Sequence, residues 1–383
     1  MRTIGVVGAS GQIGNGVARL LSQRSTVQCV AICRNRVSAA FLKLGGLTTR
    51  VVDVAAHTET SEAELADLDV VINCALETGD PSAALAKNKA LLSGLLRWLN
   101  QRPGRTLIHL GTISSLGATL THPAARPKEI PSSAYGWQKK MADDFLRRAP
   151  IRHGNRLCLW RVGGVYGSEQ LATTELVGIA LDRTIKLPMD GRMPSNLVSL
   201  EVLADCIEAY ATDDRLPSGM CSIHDRPNRS WGEVMDIVSN AIGIAAKTRL
   251  SVADSLRFFP SKPLDLWGAL QAGGRRAVAG LAAEGVAWLR GPGAWCLIRM
   301  PLQIENKIRS RYDLKLAAAG VRGAAEQWTI PAAFFNGSLP APSVGDFVQL
   351  PPRPCWLTQS RDELQRLACL IQDVPVSEGS QDK

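Results

Sequence analysis

Three glycines, Gly8, Gly11 and Gly14, stand three residues apart directly behind the apolar run "TIGVVG" near the start of the chain. That run is short, rich in β-branched residues and closed by glycine, the pattern of a buried strand. From Gln12, "QIGNGVARLLSQR" sets Ile13, Val17, Leu20 and Leu21 at helical spacing, so an amphipathic helix follows. Glycines at a strand-to-helix turn allow a tight bend and close approach of backbone to a diphosphate. The helix start then points its free N–H groups and positive dipole end at that diphosphate. The stretch predicts dinucleotide binding, with Gly8, Ser10, Gly11, Gln12, Ile13 and Gly14 around the phosphates; the alternative is a turn that serves packing alone. Its spacing is G-x-x-G-x-x-G, not the commoner G-x-G-x-x-G.

Strand and helix then alternate. "TVQCVAICR", "TTRVVDVA", "ADLDVVINCA", "RTLIHLGTIS" and "RLCLWRVGGVYG" read as the second to sixth strands, separated by helical segments such as "LAKNKALLSGLLRWLNQ". Apolar strands alternating with helices predict an α/β fold, a Rossmann-type doubly wound parallel sheet covered on both faces. An acidic residue ending the second strand would bond the adenosine ribose and favour NAD. This chain has "CRNR", so Arg34 and Arg36 stand where a 2′-phosphate would lie and favour NADP over NAD. As solvated surface charges they would carry no preference. Asp53 and Val54, ending the third strand, are candidates for the adenine; Asp53 also suits a turn or a helix cap.

Composition narrows the class. The 383 residues are 45% hydrophobic and 21% charged, as in an ordinary globular protein, and the net charge of +9 suits anionic partners. Nine cysteines lie scattered with neither a C-x-x-C pair nor zinc spacing, which predicts reduced thiols, a cytoplasmic setting and no metal site. The first strand follows no apolar leader region, and no apolar run reaches the roughly 18 to 20 residues of a spanning helix. No aromatic-basic RNA signature, zinc finger or basic helix is present, so nucleic acid is not an expected partner.

A second constellation is "SSAYGWQKKMADDFL", where Tyr135 and Lys139 lie four apart and share a helix face. A free phenol has a pKa of about 10 and is a poor acid/base at neutral pH. A neighbouring ammonium favours the phenolate and is expected to bring that pKa down.

With both constellations present, the chain resembles the short-chain dehydrogenase/reductase superfamily, in its extended branch that includes nucleotide-sugar epimerases and dehydratases. "GASGQIG" matches the branch's glycine motif. "DVVINCA" resembles the segment lining the cofactor, with Cys74 and Ala75 beside the nicotinamide half. Asn88 matches an asparagine that supports the central strand, "YGWQK" the catalytic motif, and "RVGGVYG", with Val162, the R-P-G-x-x-Y-G segment. "NLVSLEVLADCIEAYA" and "CSIHD" look like the strand and helix that return to the cofactor domain and the strand that follows. The likeness covers about residues 1–245. It implies a third catalytic group, Thr112, with Ser114 in reserve. It also implies hydride transfer between a substrate carbon and the cofactor, with Tyr135 passing the proton, Thr112 orienting the oxygen and Lys139 holding the ribose. Sugar 4,6-dehydratases of this family carry an Asp-Glu pair after the threonine; here Ile113 and Ser114 follow, which argues against that reaction. The remaining readings are net oxidation or reduction of a nucleotide- or lipid-linked sugar, epimerisation through a transient ketone, and a non-catalytic NADP-binding sensor or scaffold.

The expected organisation is a cofactor domain over 1–167 with a return segment at 196–226. A smaller, mostly C-terminal α/β substrate region is expected over 168–195 and 227–328, then a Pro-rich tail over 329–383 with a short helix. Arg183, Lys186 and Arg192 are candidates for a substrate phosphate; the alternative for each is a solvated basic surface. Residues 255–300, with Trp267, Trp288, Trp295 and Arg275, Arg276, Arg290, Arg299, read either as helices that cap the substrate region or form a subunit interface, or as a peripheral membrane contact. A homodimer through the helix of Tyr135 is a further expectation of the resemblance.

Overall fold

The computed structural model describes residues 1–56, 58–77, 81–116, 134–182, 187, 189–249, 342–348, 350 and 353–373. The elements in chain order are β1 (Arg2–Val7), α1 (Gln12–Ser22), β2 (Val27–Cys33), α2 (Arg36–Leu44), β3 (Thr49–Val51), α3 (Glu59–Glu64), β4 (Val70–Asn73), α4 (Pro81–Gln101) and β5 (Thr106–Thr112). They continue with α5 (Ala134–Arg147), β6 (Arg156–Val162), β7 (Val165–Tyr166), α6 (Leu171–Leu181), β8 (Val198–Ser199), α7 (Leu200–Thr212), β9 (Gly219–Ile223) and α8 (Trp231–Ile242). Two C-terminal helices follow, α9 (Trp356–Gln359) and α10 (Arg361–Asp373).

Seven strands form one sheet in the order β3-β2-β1-β4-β5-β6-β9, every neighbouring pair parallel. This is the doubly wound Rossmann-type sheet. Period two sorts each strand's side chains between two cores. Ile4 and Val6 of β1 join Val17 and Leu21 of α1 and Leu203 and Ile207 of α7 on one face. Val7 joins Leu92, Leu95 and Leu99 of α4 and Ala142 and Leu146 of α5 on the other. β1 and β4 are neighbours although β2 and β3 lie between them in sequence, so the order of winding reverses between them. The crevice at such a reversal, beyond the carboxyl ends of the strands, is where open α/β sheets take ligands.

The run "RLCLWRVGGVYG" does not form one strand. β6 ends at Val162, and β7 pairs with β8 in a separate two-stranded sheet. Gly163 lies at the break, against residue 196: a Cβ there would sit 1.6 Å from the Asn196 carbonyl oxygen. A third core gathers Leu176 and Val177 of α6, Trp231, Val234 and Met235 of α8, Leu357 of α9 and Leu364 of α10, with Tyr166. A strap at 342–348 runs along the free edge of β9, where the Ser222 N–H donates to the Pro342 carbonyl. Among the described residues no helix is long and apolar enough to cross a membrane. The readings made for 255–300, Arg183 and Lys186 fall outside the described residues, and Arg192 is exposed.

Candidate active site

The glycine turn sits at the carboxyl end of β1, at the reversal point. Gly8 has φ +83°, a left-handed conformation that glycine adopts at least cost. A Cβ there would also lie 2.8 Å from the Ala75 nitrogen, so the turn after β4 presses on it. The Gly11 N–H donates to the Gly8 carbonyl at 2.9 Å, and a Cβ on Gly14 would lie 2.3 Å from that same oxygen. Helix α1 starts from Gly11 with no side-chain cap and no acidic residue in its first turn. Its leading N–H groups therefore meet no competing carboxylate of their own helix, the arrangement that accepts an anion. Ser10 and Gln12 are exposed beside this cradle, and Ile13 is half-buried. The cradle fits a dinucleotide diphosphate: the space a side chain would fill at Gly8 and Gly14 is already taken by backbone.

Around it, Cys74 and Ala75 follow β4 directly, and burial pushes the Cys74 thiol up to about 12, leaving it neutral. Val162 ends β6 and is in register with Thr112. Val54 is buried. Asp53 lies two residues past β3, and its carboxylate accepts the Ala55 N–H at 3.0 Å, a turn contact. Arg34 follows β2 with 69% of its side chain exposed and lies 3.5 Å from the Glu77 carboxylate. Arg36 is the first residue of α2 and is exposed. Asn88 acts differently from the expectation: its side chain accepts from the Glu77 N–H at 2.8 Å and donates to the Glu77 carbonyl at 3.0 Å. It therefore anchors the segment after β4 rather than a strand.

Tyr135, Lys139 and Thr112 come together where β5 ends against α5. Thr112 is buried, and its hydroxyl oxygen accepts the Ser114 N–H at 3.2 Å. That leaves the hydroxyl proton for the phenol of Tyr135, to which Thr112 is hydrogen-bonded. Tyr135 keeps 44% of its surface exposed. Its phenol nonetheless stands above the ordinary value, because burial outweighs the lowering by the Thr112 hydrogen bond. The net direction is opposite to the lowering expected from a neighbouring ammonium. Lys139 is buried, and its ammonium donates to the Leu110 carbonyl at 2.8 Å. Burial lowers its pKa, opposed by the carboxylate of Asp143. Ser114 is buried in the short 3-10 turn Ile113–Ser115.

The sequence reading missed a group of buried polar residues beneath this site. His109 of β5 is in register with Asn73 of β4 and lies 2.9 Å from its side-chain nitrogen. Asp143 of α5 lies 3.8 Å from both His109 Nε2 and Arg161 Nε. A histidine inside an otherwise apolar strand, and an aspartate one turn beyond Lys139, were the available signals.

Such a fold and cradle define a dinucleotide-binding enzyme of the Rossmann class. The chain belongs to the NAD-dependent epimerase/dehydratase family, whose sequence model matches residues 4–204. No curated protein sequence matches it. Among solved structures it is similar to ADP-L-glycero-D-manno-heptose-6-epimerase from Helicobacter pylori, at 19% identity and TM-score 0.50, over 65% of this chain and 85% of that one. It is similar also to UDP-glucuronic acid 4-epimerase from Bacillus cereus, solved with NAD, at 20% identity and TM-score 0.50, over 65% of this chain and 87% of that one. At such identities the likeness is one of fold.

Proposed function

We propose that the protein is an oxidoreductase that moves a hydride between a nicotinamide dinucleotide and a hydroxyl- or ketone-bearing carbon of a nucleotide- or lipid-linked sugar. The observation that carries this is the meeting of Thr112, Tyr135 and Lys139 at the end of β5, two strands from the glycine turn of β1. The dinucleotide, when bound, supplies or accepts the hydride. The chain's residues do the rest. The phenol of Tyr135 gives or takes the proton of the substrate oxygen, and the Thr112 hydroxyl, fixed by the Ser114 N–H, holds that oxygen. Lys139 presents its ammonium to the ribose hydroxyls, and Gly8 to Gly14 hold the diphosphate. Arg34 and Arg36 favour the 2′-phosphate of NADP.

Epimerisation with NAD retained through the cycle is the second reading. It is favoured by the Glu77 carboxylate beside Arg34, which a 2′-phosphate would have to displace or share. Purification followed by denaturing release of bound nicotinamide separates the two. No retained cofactor, with NADPH binding weakened by Arg34→Asp, supports the net oxidoreductase. Tightly held NAD supports the epimerase and overturns the role given to Arg34.

A further inference from the structure

Asp143 is 1% exposed, and among the described residues neither of its carboxylate oxygens has a hydrogen-bond partner. A buried carboxylate without hydrogen bonds is costly unless charge compensates it. The chain makes room for it deliberately: a Cβ on Gly111, the strand residue facing it, would lie 2.9 Å from Asp143 Oδ1. Arg161, in register with Gly111 on β6, brings its guanidinium to 3.8 Å. From β5, His109 approaches with Nε2.

The protonation of His109 follows from its neighbours. The Asn73 side-chain oxygen accepts the Ala75 N–H at 3.1 Å, so its NH₂ is the group facing His109 Nδ1 at 2.9 Å. That NH₂ donates, Nδ1 accepts, and the ring proton sits on Nε2, toward Asp143. Burial holds the imidazole down to about 3, so it contributes no charge at neutral pH. On its own helix Asp143 lies one turn after Lys139 and two turns after Tyr135, and the Lys139 charge acts on it; Lys140 and Asp144 act on it more weakly, and those two pair with each other at 3.4 Å. Lys139 is in turn faced by the neutral thiol of Cys74. Among the described residues Asp143 is thus the anion acting most strongly on the Lys139 ammonium.

We propose that Asp143 is a positioning residue for Lys139: its buried carboxylate is the counter-charge that keeps the Lys139 ammonium protonated where the ribose of the dinucleotide is held. This rests on the ribose-holding role proposed for Lys139. Replacing the carboxylate takes from the buried Lys139 and Arg161 the anion that both act on. Lys139 then gives up its proton at a lower pH. Replacing Arg161 removes a cation from the same cluster and does the reverse.

The test is the dissociation constant of the dinucleotide, followed by fluorescence across pH on full-length protein, with thermal unfolding as a check of folding. In wild type, affinity falls on the alkaline side as Lys139 deprotonates. Asp143→Asn is expected to move that fall down by about one pH unit, which is about 5-fold weaker binding at the wild-type midpoint and about 10-fold well above it. At pH about 6.5 it binds within about 3-fold of wild type. Asp143→Glu restores the wild-type position, and Arg161→Gln moves the fall upward. A loss of affinity equal at every pH in Asp143→Asn, or an unmoved fall in both Asp143→Asn and Arg161→Gln, overturns the proposal. Lys139→Ala keeps the two readings apart: if the alkaline fall survives it, the role of Lys139 itself is wrong.

Discussion

The Gly8 carbonyl oxygen occupies the place a side chain at Gly14 would need, 2.3 Å from where its Cβ would stand. The blocking atom is backbone of the turn, so the turn and not a flexible side chain has to move. Gly14→Ala is therefore expected to weaken dinucleotide binding by more than about 10-fold and to cost about 1–3 kcal/mol of stability. Gly11→Ala, whose Cβ would stand 3.3 Å from the same oxygen, is expected to cost less in both. Titration and thermal unfolding of the two variants check the order.

Tyr135→Phe removes the proton-carrying group and leaves the ring. Turnover is expected to fall by about 10²–10⁴-fold while the dinucleotide dissociation constant stays within about 3-fold. Thr112→Val deletes the hydroxyl that bonds the phenol and is expected to lower turnover by about 10-fold or more, with binding again retained. Steady-state kinetics paired with direct binding separates the two effects.

His109 links stability to pH. Its pKa is about 3 in the folded chain against an ordinary 6.5, lowered by burial and then by the Lys139 charge. The unfolded state therefore binds the extra proton, and stability from this group is present above pH 6.5 and lost as pH falls toward 3. Asp143 has the opposite sign: burial raises it to about 6, so its contribution improves as pH falls from 6 toward its ordinary range. Comparing His109→Gln with wild type removes the first slope. Between pH 7 and 5 the wild type is expected to lose about 2 kcal/mol relative to the variant, measured by urea unfolding.

Much of the sheet was legible because its strands are apolar runs buried on both faces, and β5 is buried at every position from Thr106 to Thr112. The helical spacing of Tyr135 and Lys139 was legible for the same local reason. The split of the sixth run into β6 and β7 was not, since it depends on Gly163 meeting Asn196, a contact between distant residues. The buried cluster of Asn73, His109, Asp143 and Arg161 was hidden differently. Each residue sits singly on its own element, and the register of β4, β5 and β6, with the packing of α5 on β5, brings them together. The hydrogen bond of Asn88 to Glu77 likewise depends on where α4 passes the chain after β4.

The most direct test is hydrogen–deuterium exchange of the full-length protein with and without NAD or NADP. Dinucleotide binding at the glycine turn predicts that NAD or NADP slows exchange in the peptides spanning Gly8 to Gly16, Asn73 to Glu77 and Tyr135 to Asp143. Unchanged exchange in the glycine turn with both dinucleotides, at concentrations that saturate related enzymes, would contradict it.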